Sequence, residues 1–374
     1  MCVKHLEETG MSNLAILLPN LNGGGTERVM LNLAQGFVEQ GLKVDLVLVR
    51  AEGSLLSQVP PKVRLVVLGN RRLLLSIPTL ARYLLRERPK TILCGQEDTN
   101  VVALCVRRLT KVSTRVVVGV HNTLSRESKN ATLWKRRLTP YLVRWFYPWA
   151  DAIVAVSKGV AEDLVYLGLP QNSIDVIYNP VVTPSLFEKV HKPLEHSWFS
   201  PDQPPVILGV GRLEKQKDFP TLIRAFAYVQ QQRPARLVIL GEGPERRYLE
   251  AMVEEMGLIE NVALPGFVTN PYAYMAKAAV CVLSSIWEGL PTVLIEAMAA
   301  GTPVVSTDCE SGPAEILANG RYGKLVAVGD INGMAEAIIS TLEQPQDAAL
   351  LQQRAIEFSL EKSLTQYLQV LDVE

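Results

Sequence analysis

The chain has 374 residues, 48% of them hydrophobic and 20% charged, with 38 Lys+Arg balanced by 38 Asp+Glu. That length exceeds one typical core and suits two domains of about 150 to 190 residues each, and the composition excludes a disordered or fibrous chain. The zero net charge hides a division, because residues 1–150 hold 22 Lys+Arg and 10 Asp+Glu whereas the remainder holds 16 and 28. A basic first half suits an anionic surface or substrate; the rival reading is an accidental bias between two solvated faces.

The first dozen residues lack a hydrophobic signal core and read as a leader, with Met1 and Met11 both available as starts. The first strand is expected over Leu14 to Pro19. Asn22-Gly-Gly-Gly-Thr-Glu-Arg28 follows it and opens a helix capped by Thr26, and its glycines let the backbone approach a phosphate or sugar closely. A dinucleotide site, with NADP, competes for this loop. The Gly-x-Gly-x-x-Gly pattern is incomplete, however, since Glu27 and Arg28 stand where its third glycine is due. The second strand, Lys43 to Val49, also ends at Arg50 and not at a ribose-holding acid.

Further strands are expected over Val63 to Leu68, Thr91 to Cys94, Arg115 to Val120 and Ala152 to Val156, with helices between. Such alternation marks parallel βαβ sheets. His121 ends the Arg115 strand, at the carboxyl end where ligands bind, although a lone histidine is usually structural. Two stretches, Arg71 to Arg88 and Leu133 to Trp149, mix arginines with leucines and aromatics. They read either as amphipathic helices for an anionic bilayer interface or as ordinary helices with aromatics on the sheet. The alternation pauses from about Val181 to Pro205. It resumes with strands at Val206 to Val210, Ala235 to Leu240, Val262 to Leu264, Val280 to Leu283 and Val304 to Ser306, and a last helix is expected at about Leu360 to Leu371.

Gly209-Val-Gly-Arg-Leu-Glu-Lys-Gln-Lys-Asp218 leaves the first strand of the second half. Its loop carries Arg212 and Lys217, which could neutralise a diphosphate or form a solvated charge run. Gly241-Glu-Gly-Pro244 and Gly266-Phe267 follow strands as turns. Ser284-Ser-Ile-Trp-Glu-Gly-Leu-Pro-Thr-Val-Leu-Ile-Glu-Ala-Met-Ala-Ala-Gly-Thr-Pro-Val-Val305 is the most informative run. A strand ends at Ser284, Glu288 lies in a loop, a helix begins near Pro291, and Gly301 with Pro303 stops it. The free N–H groups around Leu290 to Val293 would favour an anion such as a pyrophosphate. Glu288 would touch what lies beyond the phosphates, and Glu296, further along the helix, a hydroxyl pair such as a ribose diol.

Cys2, Cys94, Cys105, Cys281 and Cys309 show no Cys-x-x-Cys spacing and are expected as buried thiols in a reducing compartment. Four scattered histidines and the lack of Asp-x-Asp at a strand end predict no metal site. No apolar run reaches the roughly 18 residues that span a bilayer.

With small residues before Glu288, Gly-Leu-Pro after it and Glu-Ala-Met-Ala-Ala-Gly-Thr-Pro-Val-Val from Glu296, this run resembles the Glu-x7-Glu signature of retaining glycosyltransferase family 4, the glycosyl transferases of group 1. Gly-x-Gly-Arg-Leu with Lys five residues on is similar to that family's diphosphate-binding motif. The resemblance implies an α/β protein of GT-B fold, with two Rossmann-like domains of parallel sheet facing a central cleft. Residues 1–185 would bind the acceptor, 186–204 form a linker and 205–357 bind the nucleotide-sugar, with a final helix at about 358–374 crossing back to the first domain.

By the same resemblance, Gly24 and Gly25 meet donor phosphate and acceptor, and Arg212 and Lys217 the diphosphate. Gly243 and Phe267 line the nucleotide site, joined by Gly289, Leu290, Pro291 and Thr292. Glu288 binds sugar hydroxyls, Glu296 the ribose, and His121 the sugar near its anomeric carbon. His121, Glu288, Arg212 and Lys217 form the expected catalytic set, without metal or other cofactor. Ser311-Gly-Pro-Ala-Glu315 resembles a family loop to which no contact is assigned. Asn179-Pro180 is followed by Val-Val where relatives carry an acidic residue, so it receives none.

The expected reaction moves a hexosyl or N-acetylhexosaminyl group, from UDP sooner than GDP, to a hydroxyl of a glycan or polyprenyl-diphosphate-linked acceptor. The implied location is cytoplasmic or peripheral on the inner face of the cytoplasmic membrane, with the basic first domain on anionic lipid and no nucleic-acid partner. The alternatives are a sugar-nucleotide epimerase of similar fold and a non-catalytic nucleotide-sugar-binding protein.

Overall fold

The computed structural model describes residues 13–130 and 136–373. Cys2, both candidate starts and residues 133–135 of the second arginine-rich stretch lie outside them. Strand β1 (Leu14–Leu18) is apolar and buried at every position, as a strand covered on both faces by helices must be. β2 (Val44–Leu48) is equally buried despite Asp45. Its carboxylate accepts two hydrogen bonds from Arg64, at 2.7 and 2.5 Å, and one from Tyr83 at 2.6 Å. That network compensates a charge that burial alone would penalise. Burial and the Asp45 charge hold the Tyr83 phenol well above its usual range.

β3 (Arg64–Val67), β4 (Thr91–Cys94), β5 (Arg115–Val120), β6 (Ala152–Ala155) and β7 (Ile174–Val176) complete a seven-stranded sheet of order β3-β2-β1-β4-β5-β6-β7. The second sheet has six strands: β8 (Val206–Val210), β9 (Arg236–Leu240), β10 (Val262–Gly266), β11 (Val280–Leu283), β12 (Val304–Thr307) and β13 (Lys324–Val326), ordered β10-β9-β8-β11-β12-β13. Every pairing in both is parallel. Parallel neighbours need long crossovers, which the intervening helices supply. The Phe219–Gln232 helix shows why they bury: Phe219, Leu222, Ile223 and Phe226 recur at helical spacing and all are buried against the second sheet's core.

The chain forms two compact units. One contains the residues up to Ala155, Ala161–Ile177 and the chain from Ser363; the other contains Val156–Val160 and Tyr178–Lys362. The last helix, Leu360–Leu371, thus returns to the first unit. Its Tyr367 packs edge-on against Phe37 with ring centroids 6.5 Å apart, and Thr91 donates to the Leu371 carbonyl at 2.7 Å. The stretch 186–204 holds the end of the Pro184–Val190 helix and a turn at Ser197–Phe199. There His196 and Phe199 pack edge-on against Tyr274, while Arg236 lies 4.7 Å from the Trp198 ring.

Two strands are added to those expected and two expectations are corrected. β7 and β13, three residues each, are too short to show a period. β10 runs on through Pro265, with a register shift between Ala263 and Gly266; as an edge strand it tolerates proline. The Gly25–Glu39 helix is capped by Gly24 and not by Thr26, which lies inside it, because glycine is itself an acceptable cap that lets the backbone turn earlier.

Candidate active site

In both sheets the strand order reverses between the first and fourth strands, at β1/β4 and at β8/β11. Ligands of open α/β sheets bind at the carboxyl edge of such a switch point. In the second unit the two loops leaving it are those that carry Arg212–Lys217 and Ser284–Pro291. Lys217 ends a short 3-10 turn, Lys215–Lys217. Its ammonium donates to Glu288 Oε1 at 2.5 Å, and Ser285 donates to the same oxygen at 2.6 Å. Glu288 is 6% exposed.

A second layer fixes this pair. Ser284 donates to the Lys217 carbonyl at 2.7 Å, Gln216 to the Trp287 carbonyl at 2.8 Å, and Thr307 to the Ser285 carbonyl at 2.6 Å. Ser285, Gln216 and Thr307 were not among the expected site residues. The only sequence signal for any of them is that small residues precede Glu288.

Gly289, Leu290 and Pro291 are buried and Thr292 half-buried. Thr292 begins the Thr292–Ala299 helix and Glu296, 7% exposed, lies on its inner part. Gly301 closes that helix at a φ of +82°, the left-handed cap that glycine favours. Arg212 departs from the cluster: it pairs with Glu214 and its side chain is 70% exposed.

The glycines around it are demanded by backbone crowding. A Cβ on Gly241 would stand 1.9 Å from the Gly211 carbonyl oxygen, and one on Gly243 2.4 Å from that of Leu213. Those loops interlock, Gly211 N–H donating to Leu240, Leu213 to Glu242 and Gly241 to Gly266. Phe267, next in sequence, is 47% exposed.

In the first unit, Gly24 and Gly25 start the helix after β1, and a Cβ on Gly25 would meet nothing within 4 Å. Glu27, buried on that helix, accepts from Gln96 in the loop after β4 at 3.2 Å. His121 follows β5 and is half-buried. Glu97, at the start of the helix after β4, has its carboxyl pushed up to about 7, first by burial and then by the charge of Glu127.

Among the described residues no group of three or more His, Cys, Asp or Glu side chains is placed to hold a metal ion. Of the thiols, Cys94, Cys281 and Cys309 are buried and Cys105 half-buried; burial pushes Cys281 and Cys309 up to about 12.

Family models match both units, Glycosyltransferase Family 4 over residues 23–183 and Glycosyl transferases group 1 over residues 192–358. The chain belongs to this glycosyltransferase family. A Campylobacter jejuni relative, the N-acetylgalactosamine-N,N'-diacetylbacillosaminyl-diphospho-undecaprenol 4-alpha-N-acetylgalactosaminyltransferase, is 29% identical over 89% of this chain and 91% of its own. The lipopolysaccharide 1,6-galactosyltransferase of Salmonella typhimurium is 32% identical over 51% of this chain and 53% of its own. Among solved structures, Anabaena HepE in complex with UDP and glucose aligns with a TM-score of 0.79 at 20% identity, covering 96% of this chain and 99% of that one. TarM aligns with the same score at 15% identity over 97% and 99%. The glycosyltransferase thus has the GT-B fold.

Proposed function

We propose that this glycosyltransferase takes a hexosyl or N-acetylhexosaminyl group from a nucleotide-diphosphate sugar, UDP in preference to GDP, and places it with retention on a hydroxyl of a lipid-linked or surface glycan. The observation that carries the reading is the Lys217–Glu288 pair at the β8/β11 switch point, beside the start of the Thr292–Ala299 helix. A mostly buried cation beside a helix N-terminus that no side chain caps forms a preorganised electrostatic site for a departing diphosphate. The bond between the anomeric carbon and the diphosphate oxygen breaks, its electron pair leaving with the diphosphate. The acceptor hydroxyl oxygen adds to the same face, and its proton passes to the leaving phosphate.

Lys217 and exposed Arg212 are proposed to hold the diphosphate, Glu288 the sugar hydroxyls and Glu296 the ribose. Gly243 and Phe267 would line the nucleotide. By the family resemblance alone, His121 would meet the sugar, and Gly24 and Gly25 the phosphate and acceptor. No metal is assigned a part. The division of donor and acceptor between residues 205–357 and 1–185 belongs to the same proposal.

The polyprenyl-linked acceptor rests on the Campylobacter jejuni relative named above. Peripheral attachment to anionic membrane is supported by exposed Leu74, Leu75, Tyr141 and Trp145 among exposed Arg71, Arg72, Arg136 and Arg137; their neighbours Leu80, Tyr83, Val143 and Tyr147 are core residues. Among the described residues no helix is long and apolar enough to cross a membrane. Incubation with UDP- and GDP-sugars and a membrane extract should move label into lipid and raise Tm with the true donor. No transfer and no thermal shift across a broad donor panel would overturn the reading. Flotation with liposomes should require anionic lipid and weaken with salt.

A further inference from the structure

The Gly289 peptide, immediately after Glu288, is gripped from outside its own loop. Ser157 donates to the Gly289 carbonyl at 2.8 Å, Ser311 donates to it at 2.8 Å, and the two hydroxyls lie 2.8 Å apart. Ser157 is fully buried and also accepts from the Val160 N–H at 3.2 Å. Ser157 follows β6 in sequence, yet Val156–Val160 belongs to the second unit, as Gly289 and Ser311 do. Two hydroxyl protons are available for three contacts, so two of the three are hydrogen bonds at any moment: either both serines donate to the carbonyl, or one donates to it and is itself held by the other.

The Ser311 side of the triangle is braced independently. Ser311 adopts a φ of +67°, which costs a non-glycine residue free energy and persists only where its surroundings hold it. At Gly312, with φ +96°, a Cβ would lie 2.4 Å from Pro291 Cδ. Glu315 accepts from the Lys158 N–H with both carboxylate oxygens, at 3.2 and 3.1 Å, and from Tyr178 at 2.5 Å. Arg354 donates to the Glu315 and Ile316 carbonyls. A surface turn does not require so many cross-links, whereas a loop that must keep one geometry does.

We infer that Ser157 and Ser311 are positioning residues for the donor: by fixing the Gly289 carbonyl they hold Glu288 on Lys217 and keep the first amides of the Thr292–Ala299 helix aimed at the diphosphate. The inference rests on the donor site proposed above. Its cost of failure is entropic, because a loosened loop must be ordered by the ligand.

The test uses the full chain and titrates UDP and GDP by calorimetry, with steady-state transfer alongside. Ser311→Gly removes the hydroxyl while relieving the positive φ, so Tm should hold or rise while nucleotide Kd and donor KM increase about tenfold, as for one lost hydrogen bond. A merely structural serine would give the reverse or no change in Kd. Ser157→Ala with Ser311→Gly should raise Kd further and lower kcat at saturating donor by less than the roughly 100-fold expected of Glu288→Gln, because the carboxylate is loosened and not lost. Wild-type nucleotide binding together with an unchanged Kd in Ser311→Gly overturns the clamp alone. Wild-type protein that binds neither nucleotide overturns the donor reading and the clamp with it.

Discussion

Lys217 and Glu288 stand or fall together at the residue scale. The pair is mostly buried, with side chains 20% and 9% exposed, so removing one partner strands the other charge. Lys217→Met should therefore cost about 3 kcal/mol in urea unfolding as well as activity. Glu288→Gln keeps the shape and should lower kcat by about 100-fold, read in transfer assays at saturating donor. Glu296→Ala should instead raise donor Kd about tenfold; an unchanged affinity would refute its assignment to the nucleotide. Glu97 offers a pH signature. Its folded pKa of about 7 lies above the value near 4.3 of an unfolded glutamate. The stability it contributes is complete below that lower value and is lost as pH rises through about 7. Glu97→Gln should flatten the fall in Tm between about pH 5 and 7.

Among the elements, the carboxyl-edge loops of β8, β9 and β10 are the least tolerant, because their backbones touch. Gly241 combines a φ of +141° with a Cβ position 1.9 Å from the Gly211 oxygen. Gly241→Ala should cost about 3 kcal/mol or more, about three times an ordinary substitution, and depress nucleotide binding with it. Gly25, where a Cβ would meet nothing within 4 Å, should accept alanine with little loss of stability. The β-strands themselves were legible because buried parallel strands are continuous apolar runs. Ile174–Val176 and Lys324–Val326 were not, since three residues at a sheet edge carry too few side chains to declare a period.

For the whole molecule, the return of the last helix is a packing decision. Tyr367 is fully buried against Phe37, and its hydroxyl finds no hydrogen-bond partner among the described residues. Tyr367→Ala should destabilise the protein by about 3 to 4 kcal/mol. Tyr367→Phe should leave it unharmed or about 1 kcal/mol more stable, since no bond is lost and a buried polar group is removed. Both are read from denaturant midpoints at constant m.

Local sequence determined the alternation of strand and helix, the Gly301 stop, and the loops that carry Arg212, Lys217 and Glu288, because apolar period and turn chemistry are local properties. The tertiary structure decided the partners. It set Lys217 on Glu288, turned Arg212 to solvent beside Glu214, and brought Ser157 and Ser311, 154 positions apart, to one carbonyl. Hydrogen bonds between residues distant in the chain follow from strand order and register, and neither is written in any one segment.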